Sequence, residues 1–163
     1  MIETTEPRVR KSWNVATTWS RERDEWDSIW AATASKARYQ FKLDIGDCYP
    51  DIKFADIHVR RNPSGDLVLP GEHRLVAELD REDRQILLHA FGGNHRRTPG
   101  YRDHYCTAPT DGRMHRLAWE LGLFNGPFGR EDQSGEIENW SGAFYYLSEL
   151  GKHVARSMMP LYQ

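Results

Sequence analysis

The sequence predicts an α+β chain of two small units, and three observations carry that expectation. Segments 13–32 and 54–61 alternate apolar and polar residues with period two, while the residues between them recur at helical spacing. Toward the C-terminus a capped helix, a glycine stop, a glycine-rich loop, a short strand and a serine-started helix follow in order. Between these two regions, Asn62-Pro63-Ser64-Gly65-Asp66 and then Pro70-Gly71 interrupt both patterns with turn-forming residues.

Taken in order, residues 1–11 are polar, contain Pro7 and the basic trio Arg8, Arg10 and Lys11, and read as a flexible arm. Trp13, Val15, Thr17 and Trp19 fall on one side of an extended segment. After a charged turn at 20–25, Trp26, Ser28 and Trp30 oppose Asp27, Ile29 and Ala31. The two stretches form a hairpin, in which cross-strand aromatic pairs would each contribute about 0.2–1 kcal/mol. Ser35 offers an N-cap, and Ala37, Phe41, Ile45 and Cys48 share one helical face, which makes Cys48 a core residue. Ala55, Ile57 and Val59 then face one way from a third strand, and residues 12–62 make a ββαβ unit.

Residues 63–78 read as a linker and 79–163 as a winged-helix-like unit. Its first helix runs from an Asp80 cap through Phe91 to Gly92-Gly93, and a short turn or helix covers Tyr101 to Cys106. The next helix is capped by Thr110 or Asp111. It carries Met114, Leu117, Ala118 and Leu121 on one face and ends at Gly122, which makes it the recognition-helix candidate. Residues 125–142 suit an extended wing with Trp140 as its apolar anchor. Ala143–Leu147 reads as a strand whose Tyr145 and Tyr146 point to opposite faces. Ser148 caps a last helix with Leu150, Val154 and Met158 buried, and Pro160 stops it.

Composition limits the function classes. The 163 residues are 39% hydrophobic and 28% charged, with a mean hydropathy of -0.75, as in an ordinary globular chain. A net charge of -2 gives no general field for phosphate binding, and neither half is a basic clamp. Two cysteines make no secreted-type disulfide framework, no apolar run approaches the ~20 residues that span a bilayer, and the N-terminus lacks an export pattern. A cytoplasmic protein with no membrane partner is expected.

The segment Arg102-Asp103-His104-Tyr105-Cys106-Thr107-Ala108-Pro109, then Leu121-Gly122-Leu123-Phe124, then Phe144 through Ala155, resembles the C-terminal half of small uncharacterised bacteriophage and prophage proteins. Asp103 stands where those proteins have Asn, and Ser148 where they have Thr. The last part is similar to the wing and final helix of MarR-type regulators. The resemblance covers roughly 60 residues and implies a phage origin, and so residence in a bacterial host cell, without implying an activity.

Two functions follow as expectations. The first is a non-enzymatic accessory protein that binds a host or phage protein complex, including inhibition of a host defence complex such as CRISPR–Cas, with a homodimer among its assemblies. The second is a DNA-binding regulator, with Arg113, His115 and Arg116 in a major groove and Arg96, Arg97 and Arg130 on phosphates. Acidic residues Asp111, Glu120, Glu131, Asp132, Glu136 and Glu138 lie in the same elements and oppose it. Tyr145 completes the candidate binding set.

No catalysis is expected: Cys106 with His104 or His115 lacks an orienting acid and an oxyanion site, and no phosphate-binding glycine motif occurs. His95, His104, Cys106 and His115 fall within 21 residues but contain no Cys-x-x-Cys or His-x-x-x-His pair. The aspartates 44, 47 and 51 read as a charged helix end. No metal or cofactor is expected.

Overall fold

The computed structural model describes residues 6–93, 99–129 and 142–160. The chain is α+β and divides into two compact units, one built on Pro7–Leu69 and the other on Pro70–Met159, so the boundary falls inside the expected linker.

The first unit has the expected ββαβ order, with β2 (Ser12–Thr17), β3 (Asp27–Trp30), α2 (Ala34–Ile45) and β4 (Ile57–Arg61), and an antiparallel sheet ordered β3-β2-β4. Val15, Ala31, Ala37, Phe41, Ile52 and Ile57 form its core, with Trp13, Ile29, Ile45 and Val59 packed against them. Thr17 ends β2 earlier than the alternation implies. Its hydroxyl accepts from Ser20 N at 3.2 Å and starts the short helix α1 (Thr18–Glu22), which takes Trp19 out of the strand.

The tryptophans do not pair across the hairpin, because Trp13 stands opposite Ile29 and Trp30 opposite Ser12. They act as anchors instead: Trp13 Nε1 donates to Ala31 O at 2.8 Å and Trp30 Nε1 to Gly65 O at 2.9 Å. The helix cap is Thr33, whose hydroxyl accepts from Lys36 N, and not Ser35. With α2 ending at Ile45, Cys48 leaves the helical face and is exposed, contrary to its expected place in the core.

Part of the expected arm is also ordered. Arg8–Arg10 is a strand, β1, paired antiparallel with β5 (Leu67–Leu69) inside the expected linker. Arg10 is buried, and its Nε donates at 2.8 Å to the carbonyl of Pro160, which groups with this unit. Asp66 ties the same region together by accepting from Ser12 N at 2.8 Å and pairing with Arg61.

The second unit holds α3 (Arg81–Phe91), β6 (His104–Thr107), α4 (Gly112–His115) continuing as a π-helical turn at Arg116–Glu120, β7 (Phe124–Phe128), β8 (Ala143–Leu147) and α5 (Glu149–Met158). Its sheet is antiparallel in the order β6-β8-β7. Leu87, Met114, Leu117, Leu123, Tyr145 and Val154 are solvent-free at its centre.

Several expected boundaries hold. Asp80 caps α3 in a reciprocal box with Asp83, Gly92 ends that helix at φ 66°, Asp111 caps α4, and Ser148 caps α5. Others do not. Part of the expected turn or helix at 101–106 is strand β6, the start of the expected wing is strand β7, and Trp140 lies outside the described residues.

The buried face of α5 runs through Gly151, Val154 and Ala155, and Leu150 is exposed. The reason is a close backbone approach: a Cβ on Gly151 would lie 2.0 Å from Leu123 O, the atom that accepts from Ser148 N. Ser148 and Gly151 therefore act together. The serine hydroxyl caps the helix and donates to Gly122 O at 2.6 Å, and the glycine lets the first turn rest on the 122–123 backbone.

Candidate interaction surface

The recognition-helix candidate holds three of the seven expected binding residues, and its geometry is dominated by one buried carboxylate. Asp83 is fully buried and faces α4 from the first turn of α3. Arg113 Nη1 donates to its Oδ1 at 2.7 Å, Arg116 donates to its Oδ2, and that second oxygen also accepts from Asp80 N at 3.0 Å. Arg113 further bonds Asp80 at 2.7 Å and pairs with Glu82 at 2.9 Å.

Charge-assisted bonding to Arg113 holds the Asp80 carboxyl down at about 2, and the same carboxylates hold Arg113 firmly protonated. Arg113 and Arg116 therefore clamp α4 to α3. His115 packs its ring 3.8 Å from that of Trp119, which stands largely exposed on the π-helical turn.

Tyr145 is completely buried, contrary to its expected role in binding. Its hydroxyl donates to Pro109 O at 3.3 Å, and burial, with Asp111 nearby, raises the phenol above its ordinary range. The strand alternation gives the exposed position to Tyr146. Arg96, Arg97 and Arg130 lie outside the described residues.

The outer face of the β6-β8-β7 sheet gathers a different set. Register places His104 opposite Tyr146, Cys106 opposite Phe144, and Phe128 opposite Phe144. The rings touch in series: His104–Phe144 centroids are 5.8 Å apart, His104–Tyr146 5.9 Å, Phe128–Tyr146 5.8 Å and Phe144–Tyr146 6.5 Å. Phe128 is 53% exposed and Tyr146 40%, so this continuous aromatic surface faces solvent on its own unit. Cys106 is exposed on the same face.

The sequence signal for this surface was the period-two pair His104/Cys106 matched by Phe144/Tyr146, which becomes visible only once 104–107 is read as a strand. No family model, no curated protein sequence and no solved structure matches the chain.

Other features are smaller. A groove of about 340 Å³ is lined by Glu82, Gln85, Ile86, His89 and Tyr105 in the second unit. One of about 350 Å³ in the first is lined by residues that include Trp19, Cys48, Tyr49 and Asp51. Among the described residues, no three His, Cys, Asp or Glu side chains converge as metal ligands, and no helix is long and apolar enough to cross a membrane.

Proposed function

We propose that this chain is a non-enzymatic accessory protein that binds another protein through the outer face of the β6-β8-β7 sheet. The observation that carries the reading is the linked series His104, Phe144, Tyr146 and Phe128 on one face of the sheet, with Phe128 and Tyr146 exposed and His104 and Phe144 half-buried between them. Exposed contiguous aromatic area of this kind marks interaction surfaces, and aromatic side chains supply most anchors in protein interfaces. The likeness to phage and prophage proteins supports a partner in the bacterial host, with a defence complex such as CRISPR–Cas among the targets and a cytoplasmic setting.

The DNA-binding alternative receives less support, because Arg113 is engaged by Asp80, Glu82 and Asp83 and Arg116 by the buried Asp83.

The reading is tested by tagged capture from bacterial lysate with the wild-type chain and with a Phe128→Ser/Tyr146→Ser variant, alongside titration with duplex DNA at low salt. A stoichiometric protein recovered by the wild type and lost by a variant with unchanged thermal stability is the expected outcome. Recovery unaffected by the double substitution, or tight salt-sensitive DNA binding in its place, would refute it.

A further inference from the structure

The aromatic face carries exposed ring surface with no described cation over it, which bears on the chemistry of its partner. In the first unit four rings carry a cation from the same chain: Arg60 lies 4.0 Å over Trp26, Lys42 4.7 Å over Phe54, Arg61 5.6 Å over Trp13 and Arg10 6.0 Å over Trp30. On the β6-β8-β7 face, no described cation, Arg102 included, lies over His104, Phe128, Phe144 or Tyr146. The π faces of an exposed ring series carry negative potential and attract guanidinium and ammonium groups.

The rim adds charge of the same sign. Asp103 sits 3.3 Å from His104 Nδ1 with its side chain 56% exposed. Glu149, which is 90% exposed, engages Lys152 at 2.8 Å, and Asp103 acts on the same ammonium, so two carboxylates share one cation at the His104 end of the face. An acidic partner or a phosphate backbone would meet like charge from Asp103 and Glu149 at this rim, and a basic partner would meet opposite charge.

We propose that the β6-β8-β7 face docks a basic protein segment, seating arginine or lysine side chains on the rings of Phe128, Phe144 and Tyr146 with Asp103 at the rim. The proposal rests on the protein-binding reading above and adds to it the chemistry of the partner.

The test is an NMR titration of the intact chain with three probes of matched length: an arginine–glycine repeat peptide, its glutamate–glycine counterpart, and oligothymidylate. The ring resonances of His104, Phe128, Phe144 and Tyr146 report binding. The arginine peptide is expected to shift them saturably and the other two to leave them unmoved. Phe128→Ser and Tyr146→Ser should each weaken the arginine peptide by roughly tenfold, and Asp103→Asn by a smaller factor that disappears at high salt.

Equal or tighter binding of the glutamate peptide at these rings overturns the proposal, and equal or tighter binding of oligothymidylate replaces it with a base-stacking surface. Arginine-peptide binding that survives both serine substitutions overturns it too, by placing the site elsewhere. If no probe moves the rings while lysate capture remains sensitive to Phe128→Ser/Tyr146→Ser, the basic partner is wrong and the protein-binding surface stands. If capture is insensitive as well, both fall.

Discussion

Replacing Asp83 by asparagine tests the reading of α4 as an element clamped from within. The substitution keeps side-chain shape but removes the charge and turns one of the two accepting oxygens into a donor. The native carboxylate is fully buried and accepts from Arg113, Arg116 and the Asp80 backbone. Removing one member of a buried ion pair costs about 3–5 kcal/mol when the remaining charge is stranded. Here the arginine side chains are 30% and 35% exposed, so they regain some hydration, and Arg113 keeps Asp80 and Glu82. The expected loss is therefore about 2–3 kcal/mol, below the fully stranded case.

Native-state hydrogen exchange is the suitable assay, since it resolves the α3 and α4 amides from those of the first unit. Protection in both helices should fall by roughly 30- to 150-fold, since each ~1.4 kcal/mol is tenfold, while amides of β2 and β4 stay as they were. A change below about threefold in α3 and α4 would refute the argument, because it would mean that water serves the two guanidiniums as well as Asp83 does.

Three further outcomes follow from the second unit. Gly151→Ala should destabilise it by about 2–3 kcal/mol in urea titration, because the new Cβ meets Leu123 O at 2.0 Å. Gly112→Ala, with no atom within 4 Å of its Cβ, should be neutral or stabilising in the same assay. His73 is buried and its proton affinity is lowered from 6.5, by desolvation first and then by His153 and Arg74. The native state then binds fewer protons than the unfolded chain, so this contribution to stability is complete above pH 6.5 and is lost as pH falls from there through the lower folded value. Thermal melts of His73→Phe should show a shallower decline than wild type just below pH 6.5, and parallel declines would exclude His73 as the cause.

What could be read from the sequence was what is decided locally. Asp80 and Asp83 are three residues apart and cap one another, Gly92 and Gly122 adopt the left-handed conformation that ends a helix, and Ser148 bonds its own first turn. These choices need no distant partner, so residue type and spacing suffice. The alternation of the first unit was legible for the same reason, up to Thr17, where a side-chain cap with no strong sequence signature overrode it.

The candidate site was less legible because its fate depends on contacts far along the chain. Arg113 and Arg116 look like groove-reading residues until Asp83, some thirty positions earlier, is found between them. Which of Tyr145 and Tyr146 is buried depends on which face of β8 packs against the helices, and that was hidden while 101–106 was read as a turn or helix. Cys48 was assigned to the core from its helical spacing with Phe41 and Ile45, and it is exposed because α2 ends at Ile45 before reaching it.

The ionic cluster also weighs the two functional readings against each other. Asp80, Glu82 and Asp83 face Arg113 and Arg116, three carboxylates to two guanidiniums, so the cluster is net negative before any ligand arrives. A phosphate drawing Arg113 and Arg116 into a groove would have to detach them from Asp83 and leave that carboxylate buried without a cation, a penalty of about 3–5 kcal/mol. A good bidentate base contact returns only about 1–3 kcal/mol, so the exchange is unfavourable on this helix. Binding chemistry is then left to groups whose contacts are not already committed to holding the unit together. Among the described residues of the second unit, the ring series on the sheet is the largest of these, which is why a protein segment rather than a duplex is the expected occupant.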